Sequence, residues 1–280
     1  MQRALPWSGR SPWREFVQMT PSQPVASELS DRNGPCRLLV SVRGIREAEI
    51  AIRAGVDLVD IKEPESGSLG AASSEVIREI LSLAGSRLPL SVALGELLEP
   101  AVTDRLPEDA SCYVKLGLAG CGSLPDWPLR WRERIEQLPA GVQPVAVVYA
   151  DWRVADAPPP SEVLRHVGKM AARAVLVDTF GKRQGNLLAH WSLGQIGEFV
   201  DKVHRFELPA VLAGSLSASL TDPLVALGAD CLAFRGAVCR EDRSGPLDGD
   251  LLLQLVQNIR QATGTLGTSK AAFSCSLLRA

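Results

Sequence analysis

Short apolar runs recur along the chain from residue 37 onward, and most are followed by a segment with the periodicity of an amphipathic helix. Eight such runs predict eight strands, and because the runs are continuously apolar they indicate a parallel sheet covered on both faces. The predicted strands are 38–42, 58–61, 88–94, 112–118, 144–149, 174–177, 210–213 and 231–234. The predicted helices run from Ile45 to the stop signal Gly55 and over 75–83, 129–138, 161–172, 193–204 and 250–262.

This alternation of strands and helices predicts an α/β protein built as a single TIM (β/α)8 barrel. A doubly wound open sheet is the alternative, and the absence of a G-x-G-x-x-G sequence after the first strand disfavours it. The segment 96–109 contains two prolines and predicts a short or irregular connection. We expect a poorly ordered N-terminal extension over 1–35, the catalytic barrel over 36–263 and a C-terminal tail over 264–280. Met19 is an alternative start.

The composition limits which binding partners and which cellular compartment we expect for this protein. The net charge is -2 and the pI is about 6.0, so neither nucleic acid nor an anionic membrane surface is expected as a partner. No apolar run approaches the roughly 20 residues of a transmembrane helix, which predicts a soluble protein. Six cysteines without a C-x-x-C pair, together with only three histidines, offer no zinc site and indicate reduced thiols in a cytoplasmic protein.

Lysine usage points to the chemistry. Only six of the 30 basic residues are lysines, and three of these, Lys62, Lys115 and Lys182, fall at or just beyond the ends of apolar runs. In a TIM barrel the C-terminal strand ends carry the catalytic groups. A lysine crowded by other cations in a partly desolvated site has a lowered pKa and can attack a carbonyl to form an imine. Asp60 and Asp178 would share that mouth, although internal ion pairs are the structural alternative for these groups.

A second group of residues is typical of phosphate-binding sites. Gly214 and Ser215 follow the seventh strand, and Arg235 and Gly236 follow the eighth, where barrels commonly bind phosphate through backbone N–H groups. A second candidate cradle is formed by Gly67, Ser68 and Gly70. After the fifth strand, Asp151 either orients substrate or caps the following turn. Together with the amines, these segments suggest a small phosphorylated carbonyl compound as substrate.

Read in order, several of these segments resemble one family, the (5-formylfuran-3-yl)methyl phosphate synthases of methanofuran biosynthesis, also called 4-(hydroxymethyl)-2-furancarboxaldehyde phosphate synthases. The resemblance spans roughly residues 38–260. It rests on VDIKEP (59–64), GSLGA (67–71), YVKLG (113–117), YAD (149–151), VDT (177–179) with Lys182, AGS (213–215) and RGA (235–237).

The resemblance implies a TIM-barrel lyase that joins two glyceraldehyde 3-phosphates into a phosphorylated furan aldehyde, releasing phosphate and water. It implies Lys62 as the Schiff-base lysine and Lys115 as the proton acceptor. Asp60, Asp178 and Lys182 would assist proton transfer and hold charged intermediates. An iminium at Lys62 acidifies the neighbouring carbon, an enamine attacks the second aldehyde, and eliminations driven by aromatisation follow. We expect no metal or redox cofactor, and we expect the protein to form a homo-oligomer.

Two features depart from the family. Its members use a further lysine near the fifth strand, whereas this chain has no lysine between Lys115 and Lys169, and Arg153 is the nearby basic residue. The N-terminal extension is also atypical. Three rival interpretations remain: another Schiff-base phosphosugar aldolase, a metal-independent decarboxylase with an Asp-x-Lys strand, and a triose-phosphate sensor without catalysis. Borohydride trapping separates the decarboxylase, which makes no imine.

Overall fold

The computed structural model describes residues 34–85, 87–100 and 105–277, with side chains described through residue 264. Eight parallel strands form a closed barrel in chain order, and β1 pairs with β8 to close it, which rules out the open-sheet alternative. The TIM barrel predicted from the sequence is therefore confirmed. The strands are β1 (Arg37–Val42), β2 (Leu58–Ile61), β3 (Leu90–Glu96), β4 (Tyr113–Gly117), β5 (Gln143–Tyr149), β6 (Ala174–Asp178), β7 (Ala210–Leu212) and β8 (Cys231–Phe234).

Eight helices surround the barrel within the described ranges. They are α1 (Ile45–Ala54), α2 (Ser74–Ala84), α3 (Trp127–Glu136), α4 (Pro160–His166), α5 (Leu187–His190), α6 (Leu193–His204), α7 (Thr221–Ala226) and α8 (Gly249–Leu277). Side-chain caps set several starts: Ser73 Oγ accepts from Val76 N, and Ser192 forms a capping box with Gln195. Neither described part of the connection after β3, 96–100 or 105–109, forms an α-helix, in keeping with its prolines.

Four helices differ from the sequence prediction, and one of them, α5, has no counterpart in it. The helix α4 ends at His166 rather than Ala172, and Ala171 adopts a left-handed backbone with φ 49°. Between β7 and β8 the structure has α7, which apolar periodicity did not reveal. The last helix continues to Leu277, past the predicted end at Ala262, and Thr263 Oγ1 donates to Ile259 O within it. The expected extension over 1–35 lies almost wholly outside the described residues.

The barrel interior has an apolar floor beneath a charged mouth. Alternate residues of each strand point inward, so Leu58, Tyr113 and Leu176 pack together in the buried interior cluster. Two residues further along the same strands, the inward positions carry Asp60, Lys115 and Asp178. The larger core lies between the outer strand faces and the helices. Strand periodicity therefore delivers these three charges to the C-terminal end.

Five cysteines among the described residues are buried and free, as the sequence predicts for reduced thiols: Cys36, Cys112, Cys121, Cys231 and Cys239. Burial raises the pKa of Cys36 and of Cys112 to about 12, so neither is a thiolate near neutral pH. None of the helices in the described ranges combines the length and apolarity needed to cross a bilayer.

Candidate active site

A cavity of about 430 Å³ opens at the C-terminal ends of the strands. Nine predicted site residues line it: Asp60, Lys62, Lys115, Asp178, Lys182, Gly214, Ser215, Arg235 and Gly236. Four do not: Gly67, Ser68, Gly70 and Asp151. A larger groove, about 680 Å³, lies at the opposite end of the barrel, but Arg78 and Asp109 are the only charged residues lining it, against seven in the mouth cavity.

Lys115 and Asp60 form an ion pair inside the barrel. Their side chains are only 5% and 1% exposed, and Lys115 Nζ contacts Asp60 Oδ1. Ser41 Oγ donates to the other oxygen, Asp60 Oδ2, at 2.9 Å. All three residues lie on strands, so the barrel ladder fixes the position of the pair.

Lys62 lies one residue beyond β2, on the same inward face as Asp60. Within the described residues it forms no ion pair, unlike the other two lysines of the cavity. Burial lowers the pKa of Lys62 to about 7; Asp178 and Asp60 act against that shift, while Lys182 and Lys115 add to it. A substantial share of the amine is therefore uncharged near neutral pH, as a nucleophile requires.

Asp178 and Lys182 form the second ion pair, with Lys182 Nζ 2.6 Å from Asp178 Oδ1. Burial alone would raise the pKa of Asp178, but Lys182 and Lys62 outweigh it and hold that pKa below its usual range. Burial also lowers the pKa of Lys182, against the attraction of Asp178. The backbone N–H of Thr179 donates to Asp178 Oδ1 at 2.8 Å and fixes the carboxylate further.

The loop 67–71 closes against the strand ends. Ser68 is buried, with its Oγ 2.8 Å from Thr179 O and 3.2 Å from Asp178 Oδ2. A Cβ on Gly70 would collide with the backbone of Glu63 and Ser66. Leu69 of this loop lines the cavity. The hydrogen bond from Ser68 helps to hold the Asp178 carboxylate in place.

Asp151 has a positioning role in this geometry. Its two carboxylate oxygens accept hydrogen bonds from the N–H groups of Phe180 and Gly181, each at 2.7 Å. These bonds fix the loop between Asp178 and Lys182. The sequence left open whether Asp151 orients substrate or caps a turn, and these contacts favour capping. The capped segment is the loop after β6, not the turn that follows Asp151 itself. Arg153 is exposed, with its guanidinium 4.1 Å from the ring centroid of Trp152, and does not line the cavity.

Arg235 is engaged within the protein on every donor. An arginine has five N–H donors. Arg235 donates to both Glu47 carboxylate oxygens, at 2.8 and 3.4 Å, and to Ser41 O at 2.9 Å, Arg243 O at 2.6 Å and Gly245 O at 3.1 Å. It therefore ties the β8–α8 loop to the first strand and helix, and although Arg235 lines the cavity, its guanidinium donors are all used within the protein.

The backbone after β7 presents donors to the cavity. Gly214 and Ser215 have φ of 102° and 51°, and a Cβ on Gly214 would sit 3.0 Å from Thr179 Cγ2, so only glycine fits there. Within the described residues, no hydrogen-bond acceptor is found for the N–H groups of 214–217. A non-glycine residue in this strained conformation beside a cavity is typical of a functional site. Successive free N–H groups are typical of anion sites.

Sequence reasoning missed two features. Arg243 lines the cavity from the β8–α8 loop, where no apolar run announces a strand end. Glu96 turns into the barrel at a bulge in β3 and accepts from Tyr149 Oη at 2.6 Å and Ala119 N at 2.8 Å. Burial raises the pKa of Glu96, even though both hydrogen bonds act to lower it. Glu96 pairs with Gly117, the last residue of β4, and a Cβ on Gly117 would collide with Glu96 Oε2. This pairing depends on the register between β3 and β4, which the sequence alone does not reveal.

The chain is similar in sequence to proteins of one named family. Residues 38–256 match the family model described as 4-HFC-P synthase. A (5-formylfuran-3-yl)methyl phosphate synthase of Methanococcus maripaludis strain C5 is 31% identical over 232 residues, covering 79% of this chain and 98% of its own length. The corresponding synthase of Archaeoglobus fulgidus is 29% identical over 232 residues, covering 80% and 99%. A protein of Methylorubrum extorquens whose name proposes the same activity is 35% identical over 226 residues, covering 80% and 92%.

Solved structures share the barrel. Phosphoribosyl anthranilate isomerase from Thermotoga maritima has a TM-score of 0.55 at 15% identity, covering 81% of this chain and 99% of that one. A 3-hexulose-6-phosphate synthase has a TM-score of 0.54 at 14% identity, covering 78% and 99%. At these identities the likeness concerns the fold alone. The family match and the identity to named relatives carry more: this chain belongs to the 4-HFC-P synthase family of enzymes.

Proposed function

We propose that this protein is a lyase that condenses two molecules of glyceraldehyde 3-phosphate, through a Schiff base on Lys62, into the phosphorylated furan aldehyde for which its relatives are named. One phosphate and two waters leave, as the atom balance requires. The product would serve methanofuran-type cofactor synthesis in the cytoplasm. The observation that carries the proposal is the Lys62 amine, which lines the cavity, has no ion-pair partner in the described residues and has a pKa of about 7.

Imine formation is the first step. The uncharged Lys62 Nζ attacks the aldehyde carbon of one triose phosphate, and the carbinolamine loses water to give an iminium. The iminium then draws electron density from the adjacent carbon and acidifies its C–H bond. An arginine could not take this role, because its guanidinium stays protonated and delocalised.

Proton transfer falls to the two lysine–aspartate pairs. Lys115 would first pass its ammonium proton to its partner Asp60 and then accept the proton from the carbon next to the iminium, and the resulting enamine attacks the second triose. Asp178 and Lys182 would pass protons to the departing water and phosphate. Loss of these groups yields the aromatic furan, and its aromatic stabilisation favours completion of the reaction. Water then releases the product from Lys62.

The substrate phosphate would bind at the loop after β7. Gly214 and Ser215 line the cavity, and their N–H groups have no acceptor among the described residues; Gly236 lies on the neighbouring loop after β8. Backbone donors bind phosphate oxygens without a side chain that could react with the aldehyde. This arrangement supports a phosphorylated rather than a neutral triose.

The test is incubation with glyceraldehyde 3-phosphate, followed by ultraviolet absorbance of the furan aldehyde and by released phosphate. We expect Lys62→Ala to abolish both signals and to abolish borohydride trapping of substrate on the protein. Lys202→Ala is the matched control, because Lys202 is an exposed helix lysine, and it should behave as the wild type.

Other outcomes would redirect the assignment. Phosphate release and imine trapping without a furan chromophore would indicate an aldolase or a simple elimination. Turnover with neither a furan chromophore nor trapping would indicate a mechanism without an imine, as in the decarboxylase-like alternative. Binding of the triose phosphate with neither turnover nor trapping would indicate a sensor, and each of these three results overturns the furan synthase.

A further inference from the structure

The cations of the cavity are not equivalent in their partners. Lys115 pairs with Asp60, Lys182 pairs with Asp178, and Arg235 pairs with Glu47 outside the cavity. Two cations then remain without an ion pair in the described part of the chain, Lys62 and Arg243. Because a substantial share of Lys62 is uncharged near pH 7, Arg243 is the cation that brings a lasting positive charge to the cavity.

Arg243 also keeps most of its donors available. Its guanidinium makes one hydrogen bond in the described residues, from Nη2 to Gly67 O at 3.1 Å, whereas Arg235 uses all five donors. Burial lowers the pKa of Arg243, against the attraction of Asp178, so the charge is partly removed from water, and no carboxylate of the described residues lies within ion-pair distance of it. A bound anion would supply the missing partner.

The loop that carries Arg243 is tied to its surroundings by hydrogen bonds. Arg235 Nε donates to Arg243 O at 2.6 Å, and Arg43 Nη1 contacts Ser244 O. Asp242 accepts from Ser244 N at 2.8 Å, which closes the turn on the other side of Arg243. Arg235, for which the sequence predicts phosphate binding, donates to the backbone of this loop and thereby positions Arg243 at the cavity.

We propose, on the basis of the proposed function, that Arg243 is the side chain that binds the phosphate group of the triose, opposite the free N–H groups of 214–217, and that it selects phosphorylated over unphosphorylated aldehydes. A guanidinium and a row of backbone N–H groups are complementary to a tetrahedral dianion, because the first supplies charge and a planar fork and the second supplies directed donors.

The test measures binding without turnover. Glycerol 3-phosphate carries the phosphate ester but no carbonyl, so it cannot form an imine with Lys62, and its affinity follows from calorimetry. We expect Arg243→Gln to weaken its binding at least tenfold, in line with the loss of charge-assisted hydrogen bonds. Arg240→Gln is the matched control on the same loop; Arg240 is 71% exposed and pairs with Asp248, so its loss should leave the affinity unchanged.

Several results would overturn the assignment: no binding of glycerol 3-phosphate to the wild type, equal binding by R243Q and the wild type, or equal losses in R243Q and R240Q. If R243Q does not fold, as judged by circular dichroism, R243K and R240K replace the pair. Lysine keeps the charge but not the fork, so a threefold or greater loss in R243K relative to R240K supports the role and parity overturns it.

The binding experiment is independent of the reaction assigned above. If glycerol 3-phosphate binds in an Arg243-dependent way but glyceraldehyde 3-phosphate yields no furan, the phosphate subsite stands and the furan synthase does not. If furan forms while R243Q binds glycerol 3-phosphate as well as the wild type, the synthase stands and the subsite does not. In active enzyme, R243Q should raise KM far more than it lowers kcat, and should reduce the preference for glyceraldehyde 3-phosphate over glyceraldehyde.

Discussion

Two lysine–aspartate pairs flank Lys62, and they differ in what fixes them. Lys115 and Asp60 both lie on strands, are almost fully buried, and are held by the barrel ladder and by Ser41. Lys182 lies on a loop and is 13% exposed, and its position depends on Asp151 through two backbone hydrogen bonds. We call the first the fixed pair, because both of its members lie on strands, and the second the adjustable pair, because one member lies on a loop whose position depends on the hydrogen bonds of Asp151.

The difference suggests a division of labour. A fixed base suits abstraction of a proton from a carbon, because the reaction needs a defined geometry between the base and the C–H bond. A lysine at the end of a short loop suits groups that arrive or depart, such as water and phosphate, because these occupy several positions in one cycle. Lys62 lies between the pairs, and its pKa is set by both.

The largest expected effect on stability is at the strand pair. Asp60→Asn leaves the Lys115 charge buried without its partner, which typically costs about 3–5 kcal/mol of unfolding free energy. Asp178→Asn should cost less, roughly 1–3 kcal/mol, because Lys182 is more exposed and can turn toward water. Urea denaturation of both variants measures the two values. A cost for Asp178→Asn equal to or above that for Asp60→Asn would remove the distinction between a fixed and an adjustable pair.

The next effect is on pH dependence. Because the pKa of Lys62 is lowered to about 7, the uncharged amine rises from about a tenth at one pH unit below that value to about nine-tenths at one unit above. The initial rate of borohydride-trapped imine should therefore rise through pH 7. Lys182→Met removes a cation and should move this rise to higher pH, whereas Asp178→Asn removes an anion and should move it to lower pH. Shifts of the same sign in both variants would contradict this electrostatic account.

Much of this site follows from the sequence, and the reason is strand periodicity. Inward positions alternate along a strand, so a charge two residues beyond a buried apolar residue must face the mouth of a barrel, as Asp60 and Lys115 do. Once the eight strands were recognised, their C-terminal ends identified the cavity.

Periodicity gives no information about which loop side chains reach the cavity. Arg235 follows a strand directly, yet its donors face the neighbouring backbone and Glu47, while Arg243, eight residues later, lines the cavity. Asp151 likewise follows a strand but caps the next loop. Such contacts join segments far apart in sequence, and only the folded loops decide them. The same holds for Glu96, which reaches the interior through a bulge in β3.

The smallest expected effect comes from loosening the adjustable pair without removing either member. Asp151→Asn keeps one acceptor oxygen but places an amide donor against a backbone N–H, so one of the two bonds that fix the Lys182 loop is lost. We expect kcat to fall about tenfold. Asp156→Asn is the matched control, because Asp156 is exposed, has a positive φ that asparagine tolerates, and lies nearby on the same loop.

A purely structural role for Asp151 makes a different prediction from a positioning role. If Asp151 positions Lys182, the variant should spread that ammonium group away from Lys62, weaken its lowering effect on the pKa of Lys62, and move the rise in imine trapping toward higher pH. The shift should have the sign of that in Lys182→Met and a smaller size. A variant that loses thermal stability while its trapping profile matches that of Asp156→Asn would assign Asp151 to the scaffold, and Lys182 would then be held by Asp178 and Thr179.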